Sequence, residues 1–149
     1  MRLSEKGLEL IADFEGFRNY PYLDSANVPT IGYGSTFYMD GRKVTMSDKP
    51  ISECDARVLL GLVSHKFAEQ VDDVITSKIN QNQFDALVSL VYNIGIGAFR
   101  QSTILRKVND NPNDESIAYE FSRWKRAGGQ ILNGLVLRRK KEAELYFKL

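Results

Sequence analysis

The chain has 149 residues, 43% of them hydrophobic and 26% charged, with one cysteine, one histidine and a formal net charge of +1. That size and balance describe one soluble globular domain, large enough to bury a core. They exclude an intrachain disulfide and argue against a His/Cys metal site, and no stretch approaches the ~18 apolar residues of a membrane helix.

The opening Met1-Arg2-Leu3-Ser4-Glu5-Lys6 is charged and no apolar run follows it, so no secretory signal is expected. Ser4 is placed to cap a helix reaching about Phe14, with Leu8, Ile11 and Ala12 inward. Gly16 supplies the stop, because glycine tolerates the left-handed conformation that ends a helix. Glu15 therefore falls on the last turn. From Tyr20 to about Thr45, β-branched and aromatic residues alternate with Gly, Pro, Asn and Asp, which reads as short antiparallel strands. Met39-Asp40-Gly41-Arg42 reads as a second tight turn. Tyr20, Tyr22, Tyr33, Phe37 and Tyr38 are open to two readings, packing of a small sheet or stacking on sugar rings.

This stretch carries the candidate chemistry. Asp24 lies nine residues after Glu15, and Thr30 six further on. A helix-end glutamate and a hairpin bearing the other two would face one cleft, and two carboxylates across a cleft suit glycosidic-bond hydrolysis. Phe14 and Phe17 flank Glu15, and an apolar neighbourhood favours the protonated form that a general acid needs. Asp24 sits in Asp-Ser-Ala-Asn, where hydroxyl and amide donors favour the carboxylate. The alternative is a glutamate that pairs at a helix end and an ordinary turn aspartate.

Further on, Ser52-Glu53-Cys54-Asp55 starts a helix of about 22 residues, roughly 33 Å long, with apolar residues at 56, 59, 60, 63, 67, 71 and 74. Cys54 is expected to be partly buried and His65 exposed without a role. Asn80, with Gln83 three residues on, opens a helix apolar around much of its circumference (Phe84, Leu87, Val88, Leu90, Val91, Ile94), as in the buried centre of a helical lobe; Gly95 and Gly97 end it. Asn111 to Asp114 is a turn, and Asn113 or Asp114 caps a short helix ending near Trp124, itself read as core. Ala127-Gly128-Gly129 reads as a flexible connection. From Arg123 to Lys148, eight basic residues oppose two acidic ones, a balance of +6. A basic face invites an anionic partner, murein carboxylates or nucleic acid, and is equally well a solvated helix face.

Glu-Gly-Phe-Arg, Tyr-Leu-Asp-Ser and Val-Pro-Thr-Ile-Gly-Tyr-Gly, in this order and spacing, resemble the active-site segment of the phage-type lysozymes, the endolysins of glycoside hydrolase family 24. Asn80 to Leu87, Tyr92-Asn93-Ile94-Gly95, and Phe99 with Ser102 to Arg106 resemble the same family, especially its lambdoid branch; Gly134 to Phe147 resembles its C-terminal segment. The resemblance implies a lysozyme-like α+β fold in one domain. A strand-containing lobe of about residues 14–50 would be joined by a helix over 52–75 to a helical lobe built from 80–149 and the first helix.

It also implies Glu15 as general acid, Asp24 assisting the attacking water and Thr30 positioning it. Hydrolysis of the murein β-1,4 bond would invert configuration, with carboxyl groups roughly 6.5–9.5 Å apart. Tyr33, Gly34, Ser35, Phe99, Gln101 and Ser102 become candidate substrate contacts, and Arg138 or Arg139 a partner of the acid. Ser35 departs from the histidine that many relatives carry after the Gly-x-Gly. No cofactor or metal is implied. The partner is peptidoglycan glycan strands, not nucleic acid, and no membrane anchor is expected. The protein would be a monomer held in the host cytoplasm until a holin-type lesion admits it to the wall. A chitin-type glycosidase and a non-catalytic wall-binding module are the alternatives.

Overall fold

The computed structural model describes residues 1–149. Helix α1 (Glu5–Glu15) starts at Ser4, whose side chain accepts the Gly7 N–H, and ends at Gly16 with φ +73°. Strands β1 (Arg18–Leu23) and β2 (Pro29–Gly32) follow as an antiparallel hairpin in which Tyr22 pairs with Thr30 and Leu23 with Pro29; the register shifts between Arg18 and Tyr22. A second, smaller hairpin turns at Gly41, with Phe37 bridged to Lys43.

Helix α2 (Glu53–Val74) is capped by Ser52 and has 22 residues, the expected span. Its buried stripe is Ala56, Leu59, Leu60, Ser64, Ala68 and Val71, while Val63, Phe67 and Val74 are only half-buried. Small residues occupy the inner line because α2 runs close against its neighbours. Cys54 is exposed, against expectation, because it faces away from that stripe on the first turn. His65 is exposed, as expected.

Helix α3 (Gln81–Ile94) carries a complete capping box between Asn80 and Gln83, and every residue from Gln83 to Val91 is buried. It is the axis of the 20-residue core, which also draws on Ile11, Leu60, Phe99, Ile104, Phe121 and Tyr146. Helices α4 (Ile96–Arg100), α5 (Thr103–Asp110) and α6 (Ile117–Ser122) wrap it, and α7 (Asn133–Tyr146) closes it. Between α6 and α7, a short hairpin of β3 (Arg126–Ala127) and β4 (Gln130–Ile131) stands where a flexible connection was expected; Gly128 and Gly129, both at positive φ, make its turn. The turn before α6 is held by Asp114, whose Oδ1 accepts from the Ser116 amide and hydroxyl; the cap position is Ser116, two residues beyond the expected Asp114.

Helix α1 is fastened to α3. A Cβ on Gly7 would stand 2.7 Å from Asp85 Cγ, so only glycine permits the approach. Buried Asp85 accepts from the Ser4 amide at 3.1 Å, from the Ser4 hydroxyl, and from Gln81 Nε2 at 2.8 Å. Two adjacent residues of α3 also catch both ends of the chain: Gln81 donates to the Arg2 carbonyl and Asn82 to the Lys148 carbonyl. No helix is long and apolar enough to cross a membrane.

Candidate active site

Glu15 is the last residue of α1, and its side chain is 24% exposed. Its Oε1 accepts a 3.0 Å hydrogen bond from Arg138 Nη1. Gly34, at φ +88°, lies against the other oxygen; a Cβ there would stand 3.5 Å from Glu15 Oε2. The acid is thus seated between the end of its own helix, the turn after β2 and a guanidinium from α7. Of the aromatic residues beside it in sequence, Phe14 lies under that same guanidinium, its ring centroid 5.6 Å from Arg138 Cζ, and Phe17 packs on Tyr33.

Asp24 sits just beyond β1. Its Oδ1 accepts from the amides of Ala26 (2.8 Å) and Val28 (3.0 Å), while its own amide donates to the Val28 carbonyl. These bonds occupy Oδ1 and leave Oδ2 without a protein partner. Thr30 is 2% exposed, and its hydroxyl donates to the Val28 carbonyl at 2.8 Å. Both residues therefore hang on the one turn amide and carbonyl of Val28.

Tyr22 pairs with Thr30 across the hairpin. Burial pushes its phenol up, Arg18 stacked 4.4 Å over its ring pulls it down, and the charges of Glu15 and Asp24 each push it up again. Tyr92 approaches Glu15 from α3; burial raises its phenol, and the Glu15 charge adds to that. The sequence gives Tyr92 no role, and Tyr22 only the choice between packing of the sheet and stacking on sugar. The signal for Tyr92 was its place in the Tyr-Asn-Ile-Gly segment, and for Tyr22 its position two residues before Asp24.

The other candidates scatter. Tyr33 is 4% exposed and turns inward, its hydroxyl donating to Glu53 and its ring 5.5 Å from Phe17. Phe99 is fully buried core, and Ser35 is buried with its backbone paired to Ile31. These three pack the interior instead of presenting a surface to substrate. Ser102 caps α5, accepting from the Leu105 amide. With exposed Gln101 it lines a separate concavity of about 490 Å³ beside Glu120, Arg123 and Trp124. Trp124 is half-buried against the core. The largest concavity, about 700 Å³, lies under the Tyr38–Arg42 turn and contains none of the three motif residues. No three metal-ligating side chains converge.

Of the two arginines, Arg138 alone reaches Glu15. Its remaining donors are anchored: Nε to Glu142 Oε2 at 3.3 Å and Nη2 to the Ser89 carbonyl at 3.1 Å. Arg139, 1% exposed, turns the other way to Glu142. Its Nε stands 2.7 Å from Glu142 Oε1, in ionic contact but not aligned as a hydrogen bond, while Nη2 donates to Oε2 at 3.2 Å. Glu142 is wholly buried and also receives the Ser89 hydroxyl. Burial pushes its carboxyl up, and Arg139 and then Arg138 pull it back; burial pushes Arg139 down. With three donors converging on Glu142, the geometry serves its carboxylate. The burial of Arg138 and Arg139 also removes two of the eight charges from the basic face.

A glutamate closing a helix, set against an aspartate-bearing hairpin and backed by a helical core, is the arrangement of a lysozyme-like α+β protein. The family model described as phage lysozyme matches residues 12–142. The endolysin of Salmonella phage P22 is 37% identical over 150 residues, covering 98% of each chain. The endolysin of Bacillus phage B103 is 38% identical over 98% of this chain, which spans only 54% of that protein. Among solved structures, an endolysin from Escherichia coli O157:H7 phage FAHEc1 superposes with a TM-score of 0.89 at 40% identity, covering 99% of this chain and 94% of that one. The chain belongs to the phage lysozyme family.

Proposed function

We propose that the protein is an endolysin that hydrolyses the β-1,4 bond between N-acetylmuramic acid and N-acetylglucosamine in peptidoglycan. The observation that carries this reading is the seating of Glu15 at the end of α1, held by Arg138 and lying against Gly34 of the turn after β2, with Asp24 and Thr30 on the hairpin just before that turn and Asp24 Oδ2 left open. Glu15 protonates the leaving oxygen. Asp24 takes the proton of a water that the Thr30 hydroxyl oxygen helps to hold, and that water attacks the anomeric carbon from the opposite face, inverting configuration. The names of the P22 and B103 relatives point the same way. The protein works as a monomer and waits inside the host until a holin-type lesion opens the route to the wall.

The test is turbidity loss of outer-membrane-stripped cell walls by the parent and by Glu15→Gln. Gln keeps the volume but holds no transferable proton, so lysis falls by about 10²–10⁴-fold. Equal lysis by both would remove Glu15 as the acid. An NMR record of the first anomer released tests inversion; appearance of the β-anomer first would replace it with a retaining route.

A further inference from the structure

Behind Glu15 stand three more charges in line: Arg138, Glu142 and Arg139. Arg138 is 4% exposed, Arg139 1% and Glu142 not at all. Two cations buried beside one acid would be a heavy bias toward its ionised form, since an opposite charge nearby favours ionisation. A general acid has to hold its proton until the bond breaks. The structure answers this with a fourth charge. Glu142 takes one contact from Arg138 and two from Arg139, and so spends most of both cations away from the site. Arg138 then offers Glu15 a single hydrogen bond from Nη1.

We infer that Glu142 is a positioning residue for the acid: from the far side of Arg138, it fixes that guanidinium on Glu15 and balances the buried positive charge there. This rests on Glu15 being the acid. Other groups face the pair from each element packed on it. Tyr22 of β1 and Tyr92 of α3 feel the charge of Glu15, and Tyr22 that of Asp24 as well. Ser89 of α3 faces Glu142, and α6 brings Glu120, already paired with Lys107 and Arg123. None of these supplies a second carboxylate to Arg138, so the balance lies with Glu142 alone.

The signs follow from charge. Glu142→Gln leaves Glu15 as the only carboxylate on Arg138 and Arg139 without one behind it, which favours ionised Glu15. The high-pH limb of kcat/KM, where the acid loses its proton, moves to lower pH by about one unit. Arg139→Gln leaves an unbalanced carboxylate instead, and the limb moves up by about as much. The double variant Glu142→Gln/Arg139→Gln returns it to the parent's position. A role for Glu142 in packing alone would not give opposite shifts from neighbouring neutralisations, nor cancellation when they are combined.

The experiment reads the titration midpoint of the Glu15 carboxyl carbon by NMR in the parent and the three variants, beside the pH profile of turnover on soluble murein strands. Downward, upward and restored midpoints support the inference. If Glu142→Gln does not fold, Arg139→Gln and the neutral double variant decide it. A midpoint that stays fixed or falls in Arg139→Gln overturns it. Failure of the functional reading is distinct: Glu15→Gln would still lyse walls, whatever the midpoints do.

Discussion

Asp24 is held by amides of its own turn, no more than four residues away, whereas Glu15 is held by Arg138, 123 residues away in sequence. Around Asp24 the side chains are exposed or half-buried, with Tyr20 61% and Val28 40% exposed. Around the anchor of Glu15, an arginine pair and a glutamate lie under a core that leaves Leu87 and Val91 no exposure. One half of the candidate site is thus local and needs only a correct turn. The other half exists only once α1, α3 and α7 have docked, and this separation can be attacked from either side.

The largest stability effect belongs to the helical side. Leu87→Ala lowers unfolding free energy by about 2–5 kcal/mol, read from urea titration, because the fully buried site cannot collapse onto the gap. An exposed hairpin change such as Tyr20→Ala stays within about 0.5 kcal/mol; a comparable loss there would break the contrast. Gly7→Ala forces α1 off Asp85 and costs about 1–3 kcal/mol. Because α1 carries Glu15, it also lowers kcat at temperatures where the protein remains folded. Asp24→Ala loses two amide bonds and about 1 kcal/mol, while Asp24→Asn keeps an acceptor oxygen and most of the stability. Both lose wall lysis, and an active Asp24→Asn would show that the aspartate serves only its turn.

The smallest test concerns pH. Asp48 accepts from the Thr45 hydroxyl and amide and from Tyr38, and these bonds hold its carboxyl down at about 2, from an ordinary 3.8. A carboxyl depressed on folding adds stability above the unfolded value and loses it as pH falls through the folded one. The second hairpin therefore weakens between about pH 4 and pH 2. Asp48→Asn flattens that stretch of the pH–stability curve, and an unchanged curve would reassign the bonds.

The same division decides what was legible in the sequence. Helix ends were, because caps are local: Ser4, Ser52 and Asn80 all accept the amide their spacing predicts. The hairpin, with Asp24 and Thr30 on it, was legible for the same reason. What sequence periodicity could not show was which small residue faces inward on a half-buried helix, so Ser64 and Ala68 displaced Val63 and Phe67 from the core line of α2. Nor could it separate two adjacent arginines, since only the docking of α7 on α3 turns Arg138 to Glu15 and Arg139 to Glu142. Cys54 was misplaced by hydrophobicity, Tyr33 and Ser35 by their nearness to Thr30, which the reversal of the chain after β2 carries inward, and Phe99 by the likeness of its segment to the family's.

The hold of Gln81 on Arg2 and of Asn82 on Lys148 gives the molecule one more property. Its two ends meet on consecutive residues of its central helix, so the backbone is nearly a closed ring. A short glycine-serine bridge from Leu149 to Met1 would complete that ring with little disturbance, and new ends could be opened at the exposed Gly128–Gly129 turn. A permuted chain of this kind would carry Glu15 and Arg138 closer in sequence order while leaving every contact at the site where it is.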